Sequence, residues 1–291
     1  MLNKPNYSKV IAGTMNWGVW GSNLTTIQMA EMIAVCLDNQ ITSFDHADIY
    51  GAHTTEAAFG KAFKETDIAR KDIQLITKCG IKYPAENRNY PLKHYDYSVE
   101  HIVFSVENSL KNLDTDYIDL LLLHRPSPLM QPEIIAEAIS KLKKEGKILD
   151  FGLSNFTNSQ TDLIQSKIKV DFNQIQFSIS NSEAMTDGSL DYMRLHKITP
   201  MAWNPLGTIF REESEHSTRV KLVLSQLAIK YHVTTDVILL AWIQKHPANI
   251  IPVTGTSDKY KIHNIAKSWR IQLANEDWFA LWEAAMGHKV P

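Results

Sequence analysis

The sequence has few cysteines, no long apolar run and no excess of charge of one sign. Only Cys36 and Cys79 occur among its 291 residues, which excludes a disulfide framework and gives no metal-ligand spacing. The net charge of −2 gives no excess of basic charge for binding a nucleic-acid backbone. No apolar stretch approaches the roughly 20 residues of a membrane-spanning helix. We therefore expect neither nucleic acid nor a membrane as a partner.

The N-terminal sequence also lacks the marks of an export signal. Its first ten residues, MLNKPNYSKV, contain no apolar core segment. Together with the low cysteine content, this predicts a protein of the reducing cytoplasm. The sequence leaves the oligomeric state open between a monomer and a small oligomer.

Short apolar runs alternate with amphipathic segments along the whole chain. The apolar runs are continuous rather than alternating, which is typical of parallel strands covered on both faces. Eight such runs lie at residues 8–15, 42–47, 73–80, 118–124, 148–155, 170–178, 199–205 and 249–255. Helical patterns lie between them at residues 25–39, 54–63, 98–113, 131–146, 157–167, 188–197 and 217–246.

Regular alternation of strands and helices predicts the fold class. Eight β–α units favour an α/β fold in the form of a single (β/α)8 TIM barrel with extra C-terminal helices. An open doubly wound sheet is the alternative. No G-x-G-x-x-G motif follows the first predicted strand, however, and such a sheet with a bound dinucleotide would carry one there.

Four chemically active side chains fall at the ends of three consecutive predicted strands. Asp45 lies near the end of the second run and Tyr50 on the loop after it, Lys78 lies near the end of the third run, and His124 ends the fourth. Active sites of these barrels lie at the carboxyl ends of the strands. We therefore expect the four side chains to meet at one rim.

The chemistry of this set can be argued from charge. A tyrosine phenol has a pKa of ~10, and lowering it by about 2–3 units takes roughly 3–4 kcal/mol. A lysine about 4 Å away supplies roughly 4 kcal/mol at an effective dielectric constant of 20. We therefore expect Lys78 to lower the pKa of Tyr50 and Asp45 to hold Lys78 charged. A neutral His124 would orient a substrate oxygen. The set suits protonation of a developing oxyanion and lacks a nucleophile.

Eight motifs give the sequence a resemblance to the aldo-keto reductase family over nearly its whole length. They are GTMNWG (13–18), FDHADIYG (44–51), ITKCG (76–80), LLLHRP (121–126), GLSNF (152–156), NQIQFS (173–178), AWNPLG (202–207) and IPVTGTS (251–257). The C-terminal stretch WFALWEAAMGHKVP is similar to a bacterial subgroup of NADPH-dependent oxidoreductases.

This resemblance implies one barrel domain over residues 1–291 and NADP as the cofactor. It implies NADPH-dependent reduction of an aldehyde or ketone, a small-molecule carbonyl substrate, to an alcohol by hydride transfer. The implied catalytic residues are Asp45, Tyr50, Lys78 and His124, with Tyr50 as the proton donor. We interpret the long, tyrosine-rich loop of residues 80–98 as a lid over the substrate, and we expect Tyr50, His124, Trp17 and Trp20 to contact the substrate.

The resemblance also assigns cofactor contacts. Ser154, Asn155 and Gln176 would hold the carboxamide, and Trp203 would stack on the nicotinamide where relatives have tyrosine. The 2′-phosphate would lie at the helix start after Ser257, near Lys261, although lysine binds phosphate less well in a bidentate manner than arginine. The full implied set is Thr14, Met15, Asp45, Ser154, Asn155, Gln176, Trp203, Asn204, Leu206, Gly207, Gly255, Thr256, Ser257, Lys261 and Asn264.

Two other functions are alternatives to a reductase. A regulatory subunit of the same fold would keep the cofactor with little turnover. A metal-dependent barrel hydrolase would use Asp45, His46 and His124 as ligands, but adjacent strand residues point to opposite faces. We therefore expect no metal. His46 and Asp48 are interpreted as ordinary loop residues.

Overall fold

The computed structural model describes residues 6–290. The first half of the segment examined for an export signal lies outside these residues. Eight parallel strands form a closed barrel, in which each strand pairs with its neighbours in chain order and the last pairs with the first. They are β1 Ile11–Gly13, β2 Ser43–Asp45, β3 Gln74–Cys79, β4 Ile118–Leu123, β5 Ile148–Ser154, β6 Phe172–Gln176, β7 Thr199–Trp203 and β8 Ile251–Thr254. The predicted (β/α)8 barrel is confirmed.

Helices surround the barrel and also follow its last strand. They are α1 Thr26–Asp38, α2 Tyr50–His53, α3 Thr55–Lys64, α4 Val99–Leu113, α5 Pro132–Lys144, α6 Asn158–Gln165, α7 Ser189–Leu195, α8 Glu215–Tyr231, α9 Thr235–Gln244, α10 Lys259–Ile265 and α11 Asn275–Met286. Short 3-10 turns lie at Met15–Trp17, Arg70–Asp72, Glu183–Met185 and Ser268–Arg270. All predicted helical segments are present, and α11 confirms the extra C-terminal helix. Across residues 6–290 no helix is both long and apolar enough to cross a membrane.

Helix boundaries follow local sequence. Thr25 begins α1 with a capping box, in which its hydroxyl accepts from Gln28 N and the Gln28 side chain accepts from Thr25 N. The predicted segment 217–246 divides into α8 and α9 because His232 adopts a left-handed conformation with φ 55°. The tyrosine-rich loop contains a short antiparallel ladder that joins Ile81–Lys82 to His94–Tyr95.

The barrel interior has its own apolar core at the level of the strand centres. It consists of Ile11, Ile76, Leu120, Leu122, Phe172, Met201 and Val253. Successive residues of a strand point to opposite faces, so residues two positions further along a strand also face the interior. Lys78 follows Ile76 at this spacing, and His124 follows Leu122. The same alternation therefore supplies both the apolar core and the polar groups at the carboxyl rim.

His46 lies on the outer side of the barrel, where it is fully buried. The Thr14 hydroxyl donates to Asp45 O, so the His46 Nδ1–H donates to Thr14 Oγ1, 2.8 Å away. The imidazole packs on Phe59 with ring centres 4.4 Å apart. Interpreting His46 as an ordinary loop residue was wrong, because its ring fills the space between strand and helix. Burial lowers its pKa to about 3 and keeps it neutral.

This buried histidine should make stability depend on pH. The unfolded chain can protonate His46 below its ordinary pKa of ~6.5, whereas the folded chain cannot do so until about pH 3. Stability is therefore lost as the pH falls through this window. Acidification from pH 7 to pH 5 should lower the free energy of unfolding of the wild type. In His46→Gln we expect this loss to be smaller by about 2 kcal/mol.

Urea unfolding at the two pH values measures this difference. His196→Gln, which removes an exposed histidine, serves as the matched control and should follow the wild type. Equal pH dependence in His46→Gln and the wild type would contradict the assignment.

Candidate active site

A buried ammonium lies at the centre of the carboxyl rim. Lys78 Nζ donates to Asp45 Oδ2 at 2.7 Å, to His46 O at 2.8 Å and to Tyr50 Oη at 3.1 Å. Lys78 is 1% exposed and Asp45 is 3% exposed. An unpaired charge at this depth would cost several kcal/mol, so the Asp45 carboxylate is what makes the buried lysine tolerable.

The charge of Lys78 is retained despite its burial. Burial alone lowers the pKa of the ammonium, but the Asp45 carboxylate and the Tyr50 phenol outweigh it and the net pKa is raised. Lys78 is therefore a fixed positive charge within hydrogen-bonding distance of a phenol.

Tyr50 differs from the sequence expectation in the direction of its pKa shift. Burial raises the pKa of the phenol, and the charge of Lys78 opposes this without overcoming it. The expected net lowering was wrong, because it weighed the lysine charge without the desolvation of the phenol. The consequence is that Tyr50 stays protonated at neutral pH and is available as a proton donor.

A left-handed turn presents Tyr50 to the rim. Gly51, Ala52 and His53 have φ values of 58°, 52° and 68°. A Cβ on Gly51 would lie 2.5 Å from Thr55 Oγ1, so glycine is required at this position. His53 secures the turn, because its ring nitrogens contact Asp48 O at 2.9 Å and Tyr83 O at 3.0 Å.

His124 completes the group at the end of β4. Its main-chain N–H donates to Cys79 O at 3.0 Å, and its ring centre lies 6.0 Å from that of Tyr50. Burial, reinforced by the charge of Lys78, lowers its pKa well below the ordinary value. The buried Nδ1 atom has no hydrogen-bonding partner among the described residues. The rim thus holds a neutral imidazole beside a neutral phenol.

Gln174 belongs to the site, although sequence reasoning missed it. Its Nε2 atom donates to Asp45 Oδ1 at 3.0 Å, and its side chain is buried. The second carboxylate oxygen of Asp45 is therefore also satisfied. The signal was present in the spacing, since Gln174 lies two residues before Gln176 on β6 and so shares its face.

A second polar chain links the ends of β5 and β7. Asn155 Nδ2 donates to Ser154 Oγ at 2.8 Å, and Trp203 Nε1 donates to Asn155 Oδ1 at 2.8 Å. Asn155 has a φ of 63°, which turns its amide back toward the preceding serine. Gln176 pairs in register with Trp203, and both are half-buried. Four of the sequence-predicted cofactor residues therefore lie side by side on one arc of the rim.

The neighbouring loops place the remaining predicted residues around this arc. Thr14 N donates to Asp45 O at 3.0 Å, and Met15 beside it is 43% exposed. After β7, Arg211 Nη2 donates to Asn204 Oδ1 at 2.8 Å and to Gly207 O at 2.7 Å, which folds the loop back on itself. Leu206, within this loop, packs against the core.

The segment after β8 differs from the expectation. The Asp258 carboxylate accepts from Tyr260 N at 2.8 Å and Lys261 N at 3.3 Å. The N–H groups at the start of α10, expected to face a phosphate, are therefore already capped by an acidic side chain. Ser257 Oγ contacts Ser22 Oγ at 2.6 Å, and Gly255 is exposed.

A surface groove of about 520 Å³ runs beside α10. Asn264 lies in its wall, together with Tyr260 from the same helix and Val233 and Val237 from the start of α9 and the turn before it. Lys261 is exposed, and it forms no ion pair within the described part of the chain.

The comparisons with known proteins decide the family. The Aldo/keto reductase family model matches residues 9–285. The chain belongs to this family. It is 39% identical over 291 residues to the uncharacterized oxidoreductase YcsN of Bacillus subtilis (strain 168), covering 98% of this chain and 96% of that protein. It is 35% identical over 295 residues to the 6-dehydroglucose reductase of Agrobacterium fabrum, covering 100% and 98%.

The solved structures agree at the level of the fold. An aldo/keto reductase from Klebsiella pneumoniae, crystallised with NADP and acetate, superimposes with a TM-score of 0.80 at 22% identity over 98% of this chain and 93% of that one. Aldo/keto reductases are NADP(H)-dependent oxidoreductases of carbonyl compounds, and this chain is an enzyme of that kind. The resemblance inferred from sequence motifs is confirmed.

A metal-dependent reading of this aldo/keto reductase finds no support in the geometry. Asp45 contacts Lys78 and Gln174 inside the barrel, whereas His46 contacts Thr14 and Phe59 outside it. Within residues 6–290 no three His, Cys, Asp or Glu side chains are grouped to hold a metal ion.

Trp17 is not placed to contact a substrate, and that expectation was wrong. Its side chain is fully buried between Phe44 and Phe59, with ring centres 6.2 and 6.4 Å away. Its indole N–H donates to Thr256 O at 2.9 Å. Trp17 therefore joins the loops after β1 and β8. Trp20, by contrast, is 40% exposed, and its ring centre lies 6.4 Å from that of Tyr50.

The two tryptophans should respond differently to the same substitution. We expect Trp17→Phe to lower the free energy of unfolding by about 1–3 kcal/mol, through lost packing and a lost hydrogen bond. Trp20→Phe should leave stability within about 0.5 kcal/mol of the wild type and alter the KM for carbonyl substrates. Urea unfolding and steady-state kinetics on both variants provide the comparison. A stability loss confined to Trp20→Phe would reverse the assignment.

Proposed function

We propose that the protein reduces an aldehyde or ketone to an alcohol with NADPH, and that Tyr50 is the proton donor. The observation that carries this proposal is the contact between a buried, charged Lys78 and the Tyr50 hydroxyl, at 3.1 Å and beside the neutral His124. Bound NADPH would supply the hydride to the carbonyl carbon.

The rim residues account for the proton. A substrate oxygen between Tyr50 and His124 accepts hydrogen bonds from the phenol and from an imidazole N–H. As that oxygen gains negative charge, the Tyr50 hydroxyl gives it a proton. Lys78 then holds the resulting tyrosinate, since opposite charges about 4 Å apart attract by roughly 4 kcal/mol at an effective dielectric constant of 20. The Asp45 carboxylate keeps Lys78 in place through both states.

The chain's own groups fit a nicotinamide cofactor. Trp203 offers a half-buried aromatic face, and the adjacent Ser154 and Asn155 offer a hydroxyl and an amide that match a carboxamide. His124 Nδ1 is buried without a partner, as expected of a rim that receives a ligand. These features support placing the nicotinamide end over β5 to β7, with Gln176 beside it.

The adenosine end fits the groove beside α10. Val233, Val237 and Tyr260 give an apolar wall for a flat base, and the Asn264 amide can bond its edge. The helix N–H groups cannot serve the 2′-phosphate as expected, however, because the Asp258 carboxylate already caps them. Lys261 is an exposed cation in the first turn of α10 that can pair with a 2′-phosphate, and the hydroxyls of Thr256 and Ser257 lie just before the helix start.

Removing the Tyr50 hydroxyl tests the proton donor. We expect Tyr50→Phe to lower kcat for carbonyl reduction about 10²–10⁴-fold, the usual contribution of a positioned acid. NADPH binding, measured by tryptophan fluorescence quenching, should stay within about 3-fold. Tyr117→Phe, at the amino end of β4, is the matched control and should keep wild-type kcat. Retained turnover in Tyr50→Phe would refute the assigned role.

Neutralising Lys261 tests the phosphate account. We expect Lys261→Ala to weaken NADPH binding about 10-fold, or roughly 1.4 kcal/mol, and to leave NADH binding unchanged. Fluorescence titration with both nucleotides measures the two affinities, and Lys141→Ala on α5 controls for the loss of a surface charge. If binding of NADPH and NADH weakens equally, or neither weakens, Lys261 does not bind the 2′-phosphate.

A further inference from the structure

Arg125 carries a positive charge at the mouth of the proposed site. It follows His124 directly at the carboxyl end of β4, and its side chain is half-buried. Its guanidinium carbon lies 5.7 Å from the centre of the Trp203 ring. A guanidinium in this position is attracted to the face of the indole. The Trp203 contact therefore keeps the charge at the rim, close enough to His124 and Tyr50 to act on both.

The main chain of Arg125 is clamped by a buried tyrosine. Tyr97 Oη donates to Arg125 O at 2.5 Å and accepts from Arg125 N at 3.3 Å. The Tyr97 ring packs against Gly80, where a Cβ would lie 2.0 Å from a ring carbon. Burial raises the pKa of Tyr97, so its hydroxyl keeps the proton that it donates. Because this double contact fixes the main chain of Arg125, it limits the positions that the guanidinium can reach.

The guanidinium donors of Arg125 are unused. Within residues 6–290 this guanidinium makes no hydrogen bond and no ion pair with the protein. Arg70 shows the contrast, because its guanidinium binds Asp119 at 2.7 Å and also donates to main-chain oxygens. An arginine has five N–H donors in a fork that matches an oxyanion. The donors of Arg125 are therefore available to bind an anion at the rim.

The Arg125 charge also acts on the proposed catalytic groups. It contributes to lowering the pKa of His124 and opposes the raised pKa of Tyr50, in each case behind larger effects of burial and of Lys78. Lys93, on the loop of residues 80–98, adds a further positive influence on His124. Arg125 and Lys93 therefore add positive charge on the His124 side of the rim, whereas the charge of Lys78 is paired with Asp45.

We propose that Arg125 selects carbonyl substrates that carry a carboxylate near the carbonyl group. The proposal rests on the proposed reductase function and adds a class of substrate to it. With the carbonyl oxygen between Tyr50 and His124, the carboxylate pairs with the guanidinium of the next residue along the chain. A charge-assisted, bidentate pair of this kind distinguishes an acid from its uncharged ester by about 10- to 100-fold.

Matched substrates test the proposal in the full-length enzyme. Succinic semialdehyde and 4-carboxybenzaldehyde are each compared with their methyl esters, with NADPH as reductant. We expect kcat/KM to be at least about 10-fold higher for the acids, and this ratio to fall to within about 3-fold of unity in Arg125→Gln. Arg125→Lys should restore part of the preference. Arg194→Gln on α7 removes an exposed arginine elsewhere and should keep the full preference.

The kinetic outcomes separate the two proposals. Equal turnover of acids and esters by the wild type would overturn the role of Arg125 and leave the reductase function standing. A variant Arg125→Gln that loses NADPH affinity while keeping its acid preference would also overturn it, since the guanidinium would then serve the cofactor. Lack of turnover of all four aldehydes would count against the reductase function alone.

A binding measurement tests the anion site at Arg125 without requiring turnover. Benzoate and benzamide are titrated against the wild type, Arg125→Gln and Arg194→Gln, following tryptophan fluorescence. We expect benzoate to bind at least about 10-fold more tightly than benzamide, except in Arg125→Gln. Equal affinity for the two ligands in the wild type would refute an anion site at Arg125.

Discussion

The buried ammonium of Lys78 is the interaction on which the rest of the site depends. Three acceptors at 2.7, 2.8 and 3.1 Å surround it, and they come from the carboxylate of Asp45, the main chain of His46 and the phenol of Tyr50. Gln174 satisfies the other oxygen of Asp45 from the far side of the barrel. A charge so far from water is stable only when its hydrogen bonds are complete. The same set of hydrogen bonds holds the Tyr50 phenol in position for proton transfer.

Closure of the barrel converts strand alternation into a site. Every second residue of a strand faces inward, and the inward positions are apolar at mid-height and polar at the carboxyl rim. Ile76 and Lys78 show the change on one strand, and Phe172 and Gln174 show it on another. The apolar layer at mid-barrel supports the polar layer at the rim. Residues that stabilise the fold and residues that carry the chemistry therefore lie at different levels of the same barrel.

Charge and neutrality are both needed at the rim. Burial keeps Tyr50 protonated and His124 uncharged, while Lys78 beneath them and Arg125 beside them are positive. Two neutral donors flanked by cations favour an oxygen that becomes negative, because the field is in place before the charge develops. The proposed carboxylate preference follows from the same field, which extends from the reacting oxygen to the mouth of the site.

The sequence by itself determined the barrel, the alternation of strands and helices, and the grouping of Asp45, Tyr50, Lys78 and His124 at one rim, because periodicity and strand ends are local features. It did not determine which neighbours each side chain finds. Trp17 was expected at the substrate, yet it bonds Thr256, 239 residues away, inside the core. Gln174 meets Asp45 across 129 residues. Only closure of the barrel brings such groups together. Tertiary burial, which no local pattern reports, also set the pKa of Tyr50.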